Sequence, residues 1–246
     1  MKRVGIIGCG AIGSLIAEAV EKRIVRCGEL LLFDRSVDRA ERLKASLHVP
    51  TRVVASVDEM IVLRPAVIVE AASQQAVKEY ARSILAADID LVVLSVGALL
   101  DLDLQSSRVH VPSGAIGGLD AMRSACLAGV DEVVLTTRKS PAALNAKGKD
   151  ETLVFEGYAD EAARLFPKEM NVAATLALAV RPAKVKVRVI SDPKVDRNVH
   201  EIIIKWKHGD MSLRFSNDPH PDNPKTSALA AWSAIRLLKD LLEKRH

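Results

Sequence analysis

Aromatic side chains and cysteines are scarce in this sequence. Aromatic residues account for 3% of the 246 residues, so we expect a core built mainly from aliphatic side chains. The 3 cysteines include no C-x-x-C pair, which argues against a disulfide framework and against a zinc knuckle. The histidines show no metal-ligand spacing, so no metal site is predicted. Cysteines of this kind fit a reducing cytoplasm.

Long apolar runs and runs of basic residues are also missing. No segment reaches the ~18 consecutive apolar residues that a membrane-spanning helix requires. The N-terminal apolar residues imitate a signal peptide, but glycines interrupt them and Glu18 falls where such a peptide is uncharged. The 35 basic and 31 acidic residues are interspersed, unlike those of a nucleic-acid-binding surface. We therefore expect a soluble, cytoplasmic protein that binds neither membranes nor nucleic acid.

The first hundred residues alternate between short apolar runs and segments with helical periodicity. This alternation predicts a doubly wound parallel sheet, the α/β architecture of the Rossmann fold. The five predicted strands cover residues 4–7, 29–33, 51–56, 66–73 and 90–96.

The pattern changes after Gly97, and we place a domain crossing near Val111. Several later segments have apolar residues at every second position, which predicts a half-exposed sheet with helices over its buried face. We expect a Rossmann-type domain over 1–110 and 224–246, with the C-terminal helix returning to it. The intervening residues, 111–223, form an α+β domain.

The stretch GIIGCGAIGS carries three glycines, Gly8, Gly10 and Gly13, in the spacing G-x-G-x-x-G between a predicted strand and a predicted helix. A tight turn would explain the glycines alone. Their context favours a dinucleotide site, in which they permit the turn, the approach of pyrophosphate and close packing of the helix. Asp34 ends the second strand, where an acid binds the ribose hydroxyls of NAD. Arg35 beside it could accommodate the 2′-phosphate of NADP, so NADP stays an alternative to NAD.

Six segments taken together resemble the L-aspartate dehydrogenase family over nearly the whole chain. They are GCGAIG, VEAASQQAVKEYA, PSGAIGGLDA (112–121), NVAATLALA (171–179), DPKVDRNVHEI (192–202) and NPKTSALAA (223–231). The resemblance implies a Rossmann domain joined to an α+β domain that binds substrate and forms a homodimer. It also implies oxidation of L-aspartate with NAD(P) to iminoaspartate, a product that can feed NAD biosynthesis. In one respect the chain departs from the family, because DLDLQSSRVHV is too short for the usual helix between the fifth and sixth Rossmann strands.

The resemblance also suggests roles for individual residues. Ala115 and Asn171 correspond to cofactor contacts, and His200 to the catalytic residue. Without the resemblance, Asn171 could simply cap a helix and His200 could be a structural histidine. The complete set of predicted cofactor contacts is Gly8, Gly10, Ala11, Ile12, Gly13, Asp34, Arg35, Ala71, Ala115 and Asn171.

The chemistry of the implied reaction fits these residue types. Hydride leaves the Cα of aspartate when the amine is neutral, and hydrolysis of the imine needs an activated water, so histidine suits both steps. Two substrate carboxylates require cationic or hydroxyl donors, for which Arg138, Lys139, Lys225 and Thr226 are candidates by type. Two alternatives remain: an oxidoreductase for a related amino-acid imine or semialdehyde, and a redox sensor that binds NAD(H) without turnover.

Overall fold

The computed structural model describes residues 2–104, 106–144, 146, 150–166, 170–220 and 223–243, without the side chains of 220 and 223–226. The chain divides into two compact units, one of residues 1–112 with 231–246 and one of residues 113–230. No helix within the described ranges is long and apolar enough to cross a membrane.

The first unit alternates strands and helices. Its elements are β1 (Arg3–Ile7), α1 (Ala11–Glu21), β2 (Glu29–Phe33), α2 (Val37–Ala45), β3 (Thr51–Val53), α3 (Val57–Val62), β4 (Val67–Glu70), α4 (Gln74–Ala86), β5 (Asp90–Val93), α5 (Ala98–Asp101) and β6 (Val109–His110). The six strands pair in parallel in the order β3-β2-β1-β4-β5-β6, which confirms the predicted Rossmann architecture.

Local sequence explains where these elements begin. The strands are short and apolar because helices cover both faces of a parallel sheet. Ser56 caps α3 by accepting from the Glu59 N–H at 3.1 Å, and the Glu59 carboxylate accepts from the Ala55 N–H at 2.7 Å. The short connection after β5 holds one helical turn, α5, and β6 nevertheless pairs with β5 at the sheet edge.

The second unit contains a five-stranded mixed sheet. Its elements are α6 (Leu119–Ala128), β7 (Val130–Lys139), β8 (Thr152–Tyr158), α7 (Ala159–Leu165), α8 (Asn171–Ala179), β9 (Val185–Ser191), β10 (Asn198–Trp206), β11 (Gly209–Asn217), β12 (Pro219–His220) and β13 (Asn223–Ser227). The strand order is β11-β10-β7-β9-β8, and β12 pairs with β13 in a separate two-stranded sheet. One face of the large sheet packs its alternate apolar residues against α6, α7 and α8.

The C-terminal helix α9 (Ala228–Glu243) begins later than the sequence suggests. Residues 225–227, where the C-terminal helix is predicted to begin, belong instead to β13 (Asn223–Ser227), which pairs with the preceding strand β12. Residues 224–230 therefore belong to the second unit, whereas the sequence predicts that they belong to the first. The rest of α9 buries Ile235 and Leu238 in the core of the first unit.

Candidate active site

The glycine loop between β1 and the first turn of α1 contains three glycines, and the reason for a glycine differs from one position to the next. Gly8 has φ of +97°, and a Cβ there would lie 2.8 Å from the carbonyl oxygen of Ala71. A Cβ on Gly13 would overlap the carbonyl oxygen of Gly8, so this glycine allows the helix to pack on the strand. At Gly10 a Cβ would meet no described atom within 4 Å. Since the protein's described atoms leave room for a side chain at Gly10, the open space there fits the close approach of a ligand.

The start of α1 fits a phosphate group. Gly10 is its N-cap and has no side chain to occupy the first N–H groups of the helix. The predicted contacts Ala11 and Ile12 are partly exposed in this first turn, whereas Gly13 is buried. Free N–H groups and the positive end of the helix dipole favour an anion such as pyrophosphate. The residues present therefore fit a dinucleotide.

Asp34 has a structural role that the sequence did not reveal. Its Oδ2 accepts from the Cys9 N–H at 2.9 Å, and its Oδ1 accepts from the Ser36 N–H at 2.9 Å. Arg39 lies 3.7 Å from the same carboxylate, while Arg35 is exposed. The Asp34 side chain thus ties the end of β2 to the glycine loop, in addition to its predicted contact with ribose. Burial and the Asp34 charge raise the pKa of the Cys9 thiol to about 12, so the thiol stays protonated near neutral pH.

In the second unit, the buried face of the large sheet changes from apolar to polar at one end. Five buried polar residues lie there, which we call the polar end of the sheet: Thr137, Lys139, Ser191, Asn198 and His200. Farther along the same face the residues are apolar, such as Leu135 in β7 and Ile202 in β10. The register explains the grouping, because His200 lies opposite Thr137, and Lys139 lies opposite Ser191. Buried polar groups are rarely retained without a hydrogen-bonding or functional reason.

His200 is fully buried at this polar end, with 3% of its surface exposed. Its Nδ1 lies 3.0 Å from the hydroxyl oxygen of Thr137. Burial, and to a smaller extent the positive charge of Lys139, lowers the pKa of His200 to about 3. The imidazole is therefore neutral near physiological pH, and in this environment it is a weak base.

The two neighbouring cations Arg138 and Lys139 point to opposite faces of β7, because successive residues of a strand alternate. Lys139 shares the buried face with His200. Arg138 lies on the other face, where it pairs with Glu151 at 2.7 Å and Asp192 at 3.4 Å. The structure thus brings Lys139 to His200 and does not bring Arg138 there.

The remaining predicted residues of this unit are distributed as follows. The carbonyl oxygen of Ala115 accepts from the side chain of Asn217 at 3.0 Å, and Asn217 pairs with Asn198 at the polar end. Asn171 begins α8, a helix that packs against β9. The side chains of Lys225 and Thr226 lie outside the described residues; their backbone belongs to β13.

Two features of the polar end could have been found in the sequence. Thr137 lies two residues after the inward-facing Leu135, so strand alternation predicts that it shares the buried face. The same alternation links Asn198 to His200. The contact between Thr137 and His200 could not be predicted, because it depends on the pairing of two strands 63 residues apart.

Family models match almost the entire chain. One described as "Aspartate dehydrogenase, C-terminal" matches residues 120–241, and one described as "Homoserine dehydrogenase, NAD binding domain" matches residues 8–109. The second match agrees with the NAD predicted from the glycine motif.

Relatives similar over the full length were also found. The chain is 45% identical to the L-aspartate dehydrogenase of Archaeoglobus fulgidus, over 98% of each chain. It is 43% identical to that of Methanospirillum hungatei, over 98% of this chain and 97% of the relative. The solved aspartate dehydrogenase of Thermotoga maritima is 30% identical, with a TM-score of 0.78 and coverage of 100% of this chain and 99% of that chain.

Proposed function

The chain belongs to the L-aspartate dehydrogenase family, and on that premise we propose that it oxidises L-aspartate to iminoaspartate, which hydrolyses to oxaloacetate and ammonia. The observation that carries the proposal is a neutral, buried His200 beside Lys139, an arrangement that suits a base and an anionic substrate. NAD is the cofactor, and when bound it supplies the hydride acceptor.

His200 is the proposed base. It takes a proton from the substrate ammonium so that the nitrogen lone pair can assist loss of hydride from Cα. It then releases this proton to solvent and, as a neutral base again, accepts a proton from the water that attacks the protonated imine. Thr137 holds the ring through Nδ1 at 3.0 Å, and we assign the proton-accepting role to Nε2. With Nδ1–H donating to the threonine oxygen, Nε2 carries the lone pair.

Lys139 is the proposed partner of a substrate carboxylate. A carboxylate beside this cation offsets the positive charge that lowers the pKa of His200. Binding of the doubly acidic substrate therefore raises the pKa of the imidazole and makes it a stronger base when it is needed. Arg138 is already engaged by Glu151 and Asp192 on the opposite face, so we assign it a structural role.

We further propose that the enzyme accepts NADP as well as NAD. The Asp34 oxygens accept from backbone N–H groups, yet each carboxylate oxygen can accept a second hydrogen bond, such as one from a ribose hydroxyl. Arg35 is exposed next to it, and Arg39 lies 3.7 Å from its carboxylate. These two cations favour the 2′-phosphate of NADP and offset its repulsion by Asp34.

We also propose that the protein is a cytoplasmic homodimer and that it supplies iminoaspartate to NAD biosynthesis. The face of the large sheet opposite His200 exposes apolar side chains, including Ile203 and Tyr158, at 46% and 44% of their surface. Exposed apolar side chains on a sheet face that also carries ion pairs, such as Lys186 with Glu132 and Arg188 with Glu156, fit an isologous contact between two copies of the chain. The three cysteines are free thiols, as expected in a reducing compartment.

The test is NADH formation with L-aspartate and NAD, measured beside D-aspartate, L-glutamate, L-alanine and L-homoserine. We expect activity with L-aspartate, and a loss of about 100-fold or more in kcat for His200→Ala, the scale of general acid–base catalysis. His208→Ala, which removes an exposed histidine from the turn after β10, is the matched control and should retain the wild-type rate. Activity with another substrate alone would discard aspartate, and NADH binding without any turnover would favour a redox sensor.

A further inference from the structure

Glu70 is a buried carboxylate at the carboxyl edge of the Rossmann sheet, at the last position of β4. Glu70 is 1% exposed, and it lies opposite Ile7 of β1 and Val93 of β5. Ligands of open parallel sheets bind outside this edge, where the loops after the strands meet. Burying a carboxylate is costly unless hydrogen bonds offset its desolvation.

Four hydrogen bonds from two loops offset part of that cost, although burial still raises the pKa of Glu70 above its usual value. Oε1 accepts from the N–H groups of Ala72 and Ser73, both at 2.8 Å, and from the hydroxyl of Ser95 at 2.9 Å. Oε2 accepts from the Ser95 N–H at 3.0 Å. One side chain therefore joins the loop after β4 to the loop after β5, across 25 residues of sequence.

The loop after β4 also supports the glycine loop. A Cβ on Gly8 would lie 2.8 Å from the carbonyl oxygen of Ala71 and 2.9 Å from the Cα of Ala72, so the two backbones are in close contact. The Ala71 N–H in turn donates to the carbonyl oxygen of Ile7 at 2.8 Å. A shift of Ala72 or Ser73 would thus be transmitted directly to the backbone at Gly8.

We propose that Glu70 is a positioning residue for cofactor binding, which acts by holding the loops after β4 and β5 in the arrangement that supports the glycine loop. This inference rests on the proposed function for the identity of the ligand, a nicotinamide dinucleotide. Glu70 does not contact the cofactor itself, because its carboxylate is directed into the protein and its oxygens are engaged by the two loops.

The test is Glu70→Gln, measured by NADH binding as well as by turnover. The amide keeps the shape of the side chain but replaces one acceptor oxygen by a donor, which faces either the Ser95 N–H or the N–H groups of Ala72 and Ser73. We expect the Kd for NADH and the KM for NAD to rise about tenfold or more, a factor equivalent to 1.4 kcal/mol, while kcat at saturating NAD changes little. Ser95→Ala removes one hydroxyl donor and should produce a smaller rise in the same direction.

Val67→Ala is the matched control, since it creates a small defect at the other end of β4, away from the two loops. We expect it to lower the thermal unfolding temperature without changing the Kd for NADH. The inference is overturned if folded Glu70→Gln binds NADH as wild type does, or if Val67→Ala weakens binding as much at equal loss of stability. Should Glu70→Gln fail to fold, an unchanged NADH affinity in Ser95→Ala overturns it. Failure of the wild-type protein to bind NADH would reject the cofactor assignment as well, whereas NADH binding without aspartate oxidation would reject the substrate alone.

Discussion

Acidification is expected to destabilise the second unit because His200 is buried as a neutral imidazole. Its pKa is about 3 in the folded protein against a reference of 6.5, so below pH 6.5 the unfolded chain binds a proton that the folded protein excludes. The stability associated with the neutral ring is fully present above pH 6.5 and is lost as the pH falls toward 3. At 1.36 kcal/mol per pKa unit the complete loss is about 5 kcal/mol, and between pH 7 and pH 5 it is about 2 kcal/mol.

The assay is urea unfolding at pH 7 and pH 5, followed by tryptophan fluorescence. A Trp232→Phe background leaves Trp206, at the end of the strand that carries His200, as the fluorescent reporter. Comparison with His200→Gln in the same background cancels the contributions of other titrating groups. We expect the wild-type free energy of unfolding to fall by about 2 kcal/mol more than that of His200→Gln over this interval.

Lys139→Met separates the two causes of the pKa shift. Burial is the larger cause and the Lys139 charge the smaller, so this variant should show a reduced but still measurable excess loss of stability on acidification. Equal pH dependence in wild type and His200→Gln would refute the argument, since it would mean that His200 titrates alike in the folded and unfolded chains.

Three further predictions concern the cofactor loop, cofactor choice and assembly. Gly10→Ala should keep nearly the wild-type stability but weaken NADH binding about tenfold, as measured by NADH titration. Gly13→Ala should lose roughly 1–3 kcal/mol of stability in calorimetry, because its methyl group overlaps the Gly8 carbonyl oxygen. Arg35→Ala should raise the KM for NADP roughly tenfold more than the KM for NAD, and equal changes in both constants would contradict a phosphate contact. Ile203→Lys should convert a dimer into monomers in sedimentation velocity, because a charge is costly at a buried interface; an unchanged sedimentation coefficient would place the interface elsewhere.

Much of the first unit follows from local sequence. Alternating apolar runs and helical segments are sufficient to predict a parallel sheet, and the glycine spacing predicts the loop that begins α1, because both depend on neighbouring residues. The start of α9 could not be predicted in this way. Residues 225–227 have no strong local preference that would reveal the pairing of β13 with β12, so their sequence predicts the start of the helix instead.

In the second unit, too, the sequence identifies the residues of the site, and the fold determines how they are arranged. The sequence determined which residues were available: a histidine in a family motif, two adjacent cations, and strands with alternating faces. Charge alone does not separate Arg138 from Lys139, since both have the charge that a carboxylate requires, but strand alternation from Leu135 puts Lys139 on the buried face. Strand pairing adds the partners, because the register sets His200 opposite Thr137 on that face, while Arg138 pairs with Glu151 on the other.

Asp34 and Glu70 illustrate what the tertiary structure alone could decide. In the sequence Asp34 ends the second predicted strand and Glu70 lies in the second half of the fourth, and an acidic residue toward the carboxyl end of a strand suggests contact with a ligand. In the fold each carboxylate accepts hydrogen bonds from backbone N–H groups that include one 25 residues away in the chain. Local sequence determines strands, helices and turns through nearby contacts, whereas the burial, partners and proton affinity of a side chain depend on segments that only folding brings together.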